Sequence, residues 1–152
     1  MRLLPLLLTS LLGLSASSCR THLLVDQTYD FTLKEVLRDD CGLATTPGVF
    51  SSGTLFTTGN QVRMTYGYQN LEMVGIYLVG EDQMSLDGST GNVMTMVRGQ
   101  ECLLDTVTLH LETTNHTADS FDGEMSIALD ARLNPEVCVC KLWVRYEAKA
   151  KR

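Results

Sequence analysis

Five cysteines carry most of the chemistry legible in this sequence: Cys19, Cys41, Cys102, Cys138 and Cys140. A cysteine can ligate a metal, exchange electrons, accept a lipid or close a disulfide, and spacing separates these uses. Zinc sites pair cysteines two to four residues apart with a second matching set, and redox dithiols place two residues between them. Cys138-Val139-Cys140 has a single intervening residue and fits neither pattern, so a structural disulfide role is expected for both. The remaining reactive types are scattered. His22, His110 and His116 are the three histidines, and nothing local resembles Gly-x-Ser-x-Gly or His-Glu-x-x-His. Ser51-Ser52-Gly53 and Asp39-Asp40 read as ordinary loop polar residues. Met94-Thr95-Met96 offers thioethers to soft Cu(I). With no histidine beside them, these two methionines are assigned with Met73, Met84 and Met125 to filling an irregular core. Asp87 to Asn92 is oxygen-rich but lacks the ligand spacing and closing glutamate of an EF-hand. The expectation is a protein with no catalytic residues, no metal and no cofactor.

The N-terminus speaks about address. Met1-Arg2 carries one positive side chain, Leu3 to Leu14 is apolar apart from Pro5, Thr9, Ser10 and Gly13, and small residues follow. The apolar run is shorter than the about 20 residues a membrane-spanning helix needs, and the layout is that of a secretory signal peptide. Ala16-Ser17-Ser18-Cys19 resembles the lipobox of bacterial lipoproteins, in which small residues lead to a cysteine that is acylated and becomes the new N-terminus. The resemblance implies a signal peptide over 1–18, acylation of Cys19 with palmitate among the acyl chains, and attachment to a membrane. It covers the leader alone and names no family for the rest of the chain. An ordinary signal-peptidase cut after Ser18 would export the protein equally. Because Arg20 is not the aspartate associated with inner-membrane retention, the resemblance also implies the outer membrane. Five is an odd number of cysteines for an exported protein. Consuming Cys19 in a lipid linkage leaves four, which can pair completely in an oxidising compartment.

Cleavage before Cys19 leaves a chain of single-domain size from the original 152 residues. With 12 basic against 18 acidic residues and no basic patch within the domain, nucleic acid is excluded as an expected partner. The organisation expected is a lipidated tether over 19–26, a β domain over 27–148 and a basic tail over 149–152 containing Lys149, Lys151 and Arg152.

Within the domain, alternation marks half-buried strands. Val62, Met64 and Tyr66 share one face, as do Val107, Leu109 and Leu111, and Met125, Ile127 and Leu129. Turn signals at Thr58-Gly59-Asn60, Gly80-Glu81-Asp82 and Asp87 to Asn92 separate short runs, and a longer polar loop, 113–123, contains the glycosylation-type tripeptide Asn115-His116-Thr117. Loops this short connect antiparallel neighbours. About eight mostly antiparallel strands follow, compatible with an all-β barrel or a β-sandwich. "YDFTLKEVL" is the segment whose type the pattern leaves open.

The last strand, expected over Val137 to Tyr146, sends Cys138 and Cys140 to the core face with Leu142, Val144 and Tyr146. In an extended strand their Cα atoms would sit roughly 6.6 Å apart with parallel side chains, which disfavours a bond between them. Cys41 is then expected to pair with one of them and Cys102 with the other. The opposite face carries Val139, Lys141, Trp143 and Arg145, an outward aromatic beside arginine: either a neighbouring loop or the N-terminal segment covers it, the commoner arrangement, or it is a candidate interface. "MVGIYLV" is apolar on both faces and calls for cover on both.

These readings converge on a membrane-anchored, non-enzymatic envelope lipoprotein that acts through protein contacts in envelope assembly, adhesion or surface motility. The alternative is a barrel that carries a lipid or other small apolar ligand.

Overall fold

Alternation becomes register in the computed structural model, which describes residues 26–78 and 83–152, apart from the side chain of Asn115. The leader 1–18, Cys19, His22, most of the tether and the Gly80-Glu81-Asp82 turn lie outside the described residues. Among the described residues ten strands follow one another: β1 Thr28–Asp39, β2 Ser52–Thr58, β3 Gln61–Tyr66, β4 Leu71–Leu78, β5 Gln83–Thr90, β6 Val93–Val97, β7 Gln100–Leu104, β8 Thr106–His116, β9 Ser120–Asp130 and β10 Cys140–Ala150. Eight of them close an antiparallel barrel in the order β1-β10-β9-β8-β5-β4-β3-β2, each strand beside its chain neighbour once the β6–β7 hairpin is set aside. Closure by β1 against β10 decides for the barrel over the sandwich.

The three alternating segments behave as their patterns require. Val62, Met64, Tyr66, Val107, Leu109, Leu111, Met125, Ile127 and Leu129 all point inward and are buried. Inside the barrel, Phe31 meets Tyr66, Phe121 and Tyr146 at ring-centroid distances of 5.0, 5.7 and 5.2 Å, and Tyr29 meets Phe121 at 4.9 Å. Interlocked rings of this kind contribute beyond their buried area.

The two ends differ. At the turn end, strands reverse through tight connections such as Gly59-Asn60, where Gly59 adopts φ 60°, a value L side chains seldom take. At the capped end, the loop 40–51, the 3-10 turn Tyr68–Asn70, the β6–β7 hairpin and a single helical turn, α1 (Pro135–Cys138), cover the opening.

Several expectations change. "YDFTLKEVL" is strand, and its pattern was obscured by register shifts between Leu33 and Glu35 and between Val36 and Arg38. Asp87 to Thr90 belong to β5 rather than to a turn. Gly88 faces inward there, where a Cβ would come within 2.4 Å of Leu71 Cδ2, so glycine marks close packing. The loop 113–123 shrinks to 117–119. Its flanks extend β8 and β9 across an irregularity between Thr113 and Asn115, and Thr117 N–H donates to Ser120 O at 2.7 Å to close the turn. Ser52 and Gly53 open β2 instead of lying in a loop. β10 starts at Cys140 and runs to Ala150, so Lys149 belongs to the sheet, and only Lys151 and Arg152 follow it.

Candidate functional site

The four described cysteines gather at the capped end as two bonds, Cys41–Cys140 and Cys102–Cys138, with Cα separations of 5.3 and 5.7 Å. The expectation that each of the neighbouring cysteines finds a distant partner holds, but the reason differs for Cys138. Asn134 turns left-handed, Pro135 opens a helical turn, and the Val137 and Cys138 N–H groups both donate to Asn134 O. Cys138 is therefore on α1 facing β7, while Cys140 begins β10 facing the 40–51 loop. All four cysteines are buried.

Asp39 holds that loop in place. Its Oδ1 accepts the Cys41 and Leu43 N–H groups, both at 3.1 Å, and its Oδ2 accepts the Ala44 N–H at 2.9 Å. One carboxylate thus positions Cys41 for its bond and satisfies three donors that no strand ladder reaches. Asp39, expected from the sequence to be an ordinary loop polar residue, is instead the last residue of β1 and the anchor of the loop that follows. The signal available was its place between a strand and a cysteine, an Asx-type geometry.

On the outer wall, Val139, Lys141, Trp143 and Arg145 do face away from the core, Trp143 with 41 % of its surface exposed. The structure brings three of the four together. Trp143 Nε1–H donates to Glu124 Oε2 at 3.0 Å, Arg145 Nη1 donates to Glu35 Oε2 at 2.8 Å, and Lys141 lines the groove beside the indole. Val139 precedes the strand and lies toward the capped end. The groove, about 230 Å³, also takes in His110, Glu112, Met125 and Ser126.

His110 adds electrostatics that its strand position alone did not reveal. Its Nδ1 lies 2.6 Å from Asp87 Oδ1 and its Nε2 lies 3.2 Å from Glu112 Oε1. A neutral imidazole has one N–H and an imidazolium has two, so this arrangement suits the charged ring. Burial of the ring opposes the charge, but hydrogen bonds to Asp87 and then Glu112 outweigh it and raise the His110 pKa above the ordinary histidine value. Glu112 sits directly opposite Glu124 on β9. That like-charge pair is relieved from one side by His110 and from the other by Trp143 and Arg145, whose Nε lies 3.6 Å from Glu124 Oε1.

Two apolar surfaces complete the inventory. Met73, Met84 and Met125 are core residues as expected, but Met94 and Met96 are 53 % and 52 % exposed. They face out from the hairpin while Val97, Cys102 and Leu104 face in, and Met94 is paired across the hairpin with Leu103, also exposed. On β4, the outward Val74 is 60 % exposed, with Ile76 and Leu78 below it, so among the described residues this strand lacks the second cover its sequence calls for. Among the described residues no group of three or more metal-ligating side chains converges.

The chain matches no family model, no curated protein and no solved structure.

Proposed function

We propose that this chain is an exported lipoprotein, anchored through acylated Cys19 to the outer membrane of a bacterial envelope, and that it acts through protein contacts rather than catalysis. One observation carries the reading. The four described cysteines bond to one another, so no second cysteine of the chain is left for Cys19, which ends the lipobox-like Ala16-Ser17-Ser18-Cys19. Two buried disulfides also suit an oxidising compartment.

The contact surface we assign to the outer wall of β10 around Trp143, with its envelope partner unnamed. An aromatic flanked by Lys141 and Arg145, in a shallow groove, has the composition of an interface centre. The ligand-carrier reading stands second, because the barrel interior is occupied by Phe31, Tyr66, Phe121 and Tyr146 packed ring against ring.

Intact mass of the mature protein tests the anchor: the chain is expected to begin at Cys19 and to carry acyl chains, and an unmodified Cys19 refutes it. Trp143→Ala tests the surface. The variant is expected to melt close to wild type while capture of the envelope partner weakens by more than about 1 kcal/mol. A variant that captures the partner as well as wild type removes Trp143 from the interface.

A further inference from the structure

Lys149, Lys151 and Arg152 form the one basic cluster that the sequence singles out, and the structure fixes them at the turn end of the barrel. Ala150 N–H donates to Asp119 O and Lys151 N–H to Thr28 O, both at 2.8 Å. With Gln27, Asp119 and Ser120 the three cations line a groove of about 400 Å³. Both lysines are exposed. Lys149 Nζ lies 3.2 Å from Glu147 Oε1, and Lys151 Nζ lies 3.8 Å from Asp30 Oδ1, beyond hydrogen-bond range. A lysine has three donors, so each retains protons for an incoming anion.

The same end receives the tether. Asp26 Oδ1 accepts from the Thr57 N–H and hydroxyl at 2.8 and 2.7 Å, which pins the start of the domain two residues before Thr28, the partner of Lys151. Only residues 20–25 separate Asp26 from Cys19. At 3.3–3.6 Å per residue that stretch reaches at most about 25 Å. A lipid at Cys19 therefore draws the turn end, not the disulfide end, to the bilayer. At this end Lys149, Lys151 and Arg152 stand beside Glu147, Asp30 and Asp119, so the attraction for an anionic surface is local to the groove and comes from the donors the two lysines leave free.

We propose that this groove seats the phosphate groups of anionic phospholipids and docks the barrel end-on against its membrane. The proposal rests on the reading of Cys19 as the anchor. More than one acyl chain on Cys19 anchors the protein without further help, so the patch would act on orientation, each lysine or arginine near an anionic surface adding attraction at this end.

The test uses the protein as isolated from membranes, reconstituted on vesicles of phosphatidylcholine alone or with about 30 % phosphatidylglycerol, and labelled by lysine acetylation read by mass spectrometry. On the anionic vesicles, labelling of Lys149 and Lys151 is expected to fall by at least about fivefold, with Lys141 on the wall as the unchanged control, and to recover at high salt. Equal labelling on both vesicles overturns the proposal. So does equal protection by millimolar inorganic phosphate without vesicles, which would make the groove a small-anion site. Flotation separates this outcome from the anchor reading. Protein that floats on both vesicles but shows no charge-dependent protection keeps the anchor and loses the groove. Protein that floats on anionic vesicles alone, with Lys149 and Lys151 protected, keeps the groove and loses the anchor. Flotation on neither rejects both.

Discussion

The capped end and the body of the barrel are stabilised in different ways. Between Asp39 and Ser52 the chain runs through twelve residues without a strand, and its order comes from the Asp39 carboxylate and from Cys41 bonded to Cys140. The body has a closed ladder, interrupted by a few register shifts, and an aromatic interior, and the one bridge that reaches it does so at Cys140, the first residue of β10. Irregular backbone that must lie over a core requires point fixings, whereas regular backbone distributes the same task over many weak bonds.

Removing the fixings is expected to have the largest effect. Loops of 99 and 36 residues correspond to about 4.7 and 3.8 kcal/mol in the chain-entropy model, with about 2–4 kcal/mol typical for one bridge. Urea unfolding of Cys41→Ala/Cys140→Ala and Cys102→Ala/Cys138→Ala should rank them in that order. An equal loss for both would show that loop length is not what distinguishes them. Next comes the body: Phe31→Ala is expected to cost about 3 kcal/mol through the cavity left among the rings of Tyr66, Phe121 and Tyr146. That cost should be the same with the disulfides intact or reduced, and strong non-additivity would break the division between the two regions.

Asp39→Ala is expected to cost about 2 kcal/mol, since hydrogen bonds to a charged group exceed neutral ones. Hydrogen exchange should localise the loss to the Cys41, Leu43 and Ala44 amides and leave β8 and β9 protected. The smallest effect belongs to the wall. The folded His110 pKa is raised, so its contribution is complete below its unperturbed value of 6.5 and fades as pH rises through the folded value. Melts of wild type and His110→Gln should differ at pH 6 by less than about 1 kcal/mol, given the exposed setting, and converge at alkaline pH. A gap that widens with pH would show that the imidazolium is not the stabilising form.

The barrel was legible where one strand carried its own pattern: Val62 to Tyr66, Val107 to Leu111 and Met125 to Leu129 state their buried faces directly. The pairing of Cys41 and Cys102 with the two late cysteines was reached through an extended strand that the α1 turn replaces at Cys138, and it held because the list of partners is short. What stayed hidden depends on other strands. Gly88 looks like a turn residue until Leu71 is placed against it, and the Met94-Thr95-Met96 face depends on which side of the hairpin meets the barrel. The Asp87, His110, Glu112 and Glu124 constellation spans three strands joined only by register. Asp39 is a different case, since its role is local but belongs to loop backbone that no periodicity describes.

Closure between β1 and β10 also sets an order in time. The first strand of the domain finds one of its two neighbours only in the last strand, and Cys41 waits for Cys140, 99 positions later. A chain delivered N-terminus first exposes most of the β1 edge and a free Cys41 thiol until nearly all of its length has arrived, and pairings so distant in sequence form slowly. During that interval the growing sheet can meet other chains edge to edge. The finished barrel is protected by its closure, and the route to it is the stage at which a holding chaperone and a disulfide-exchange catalyst would matter most.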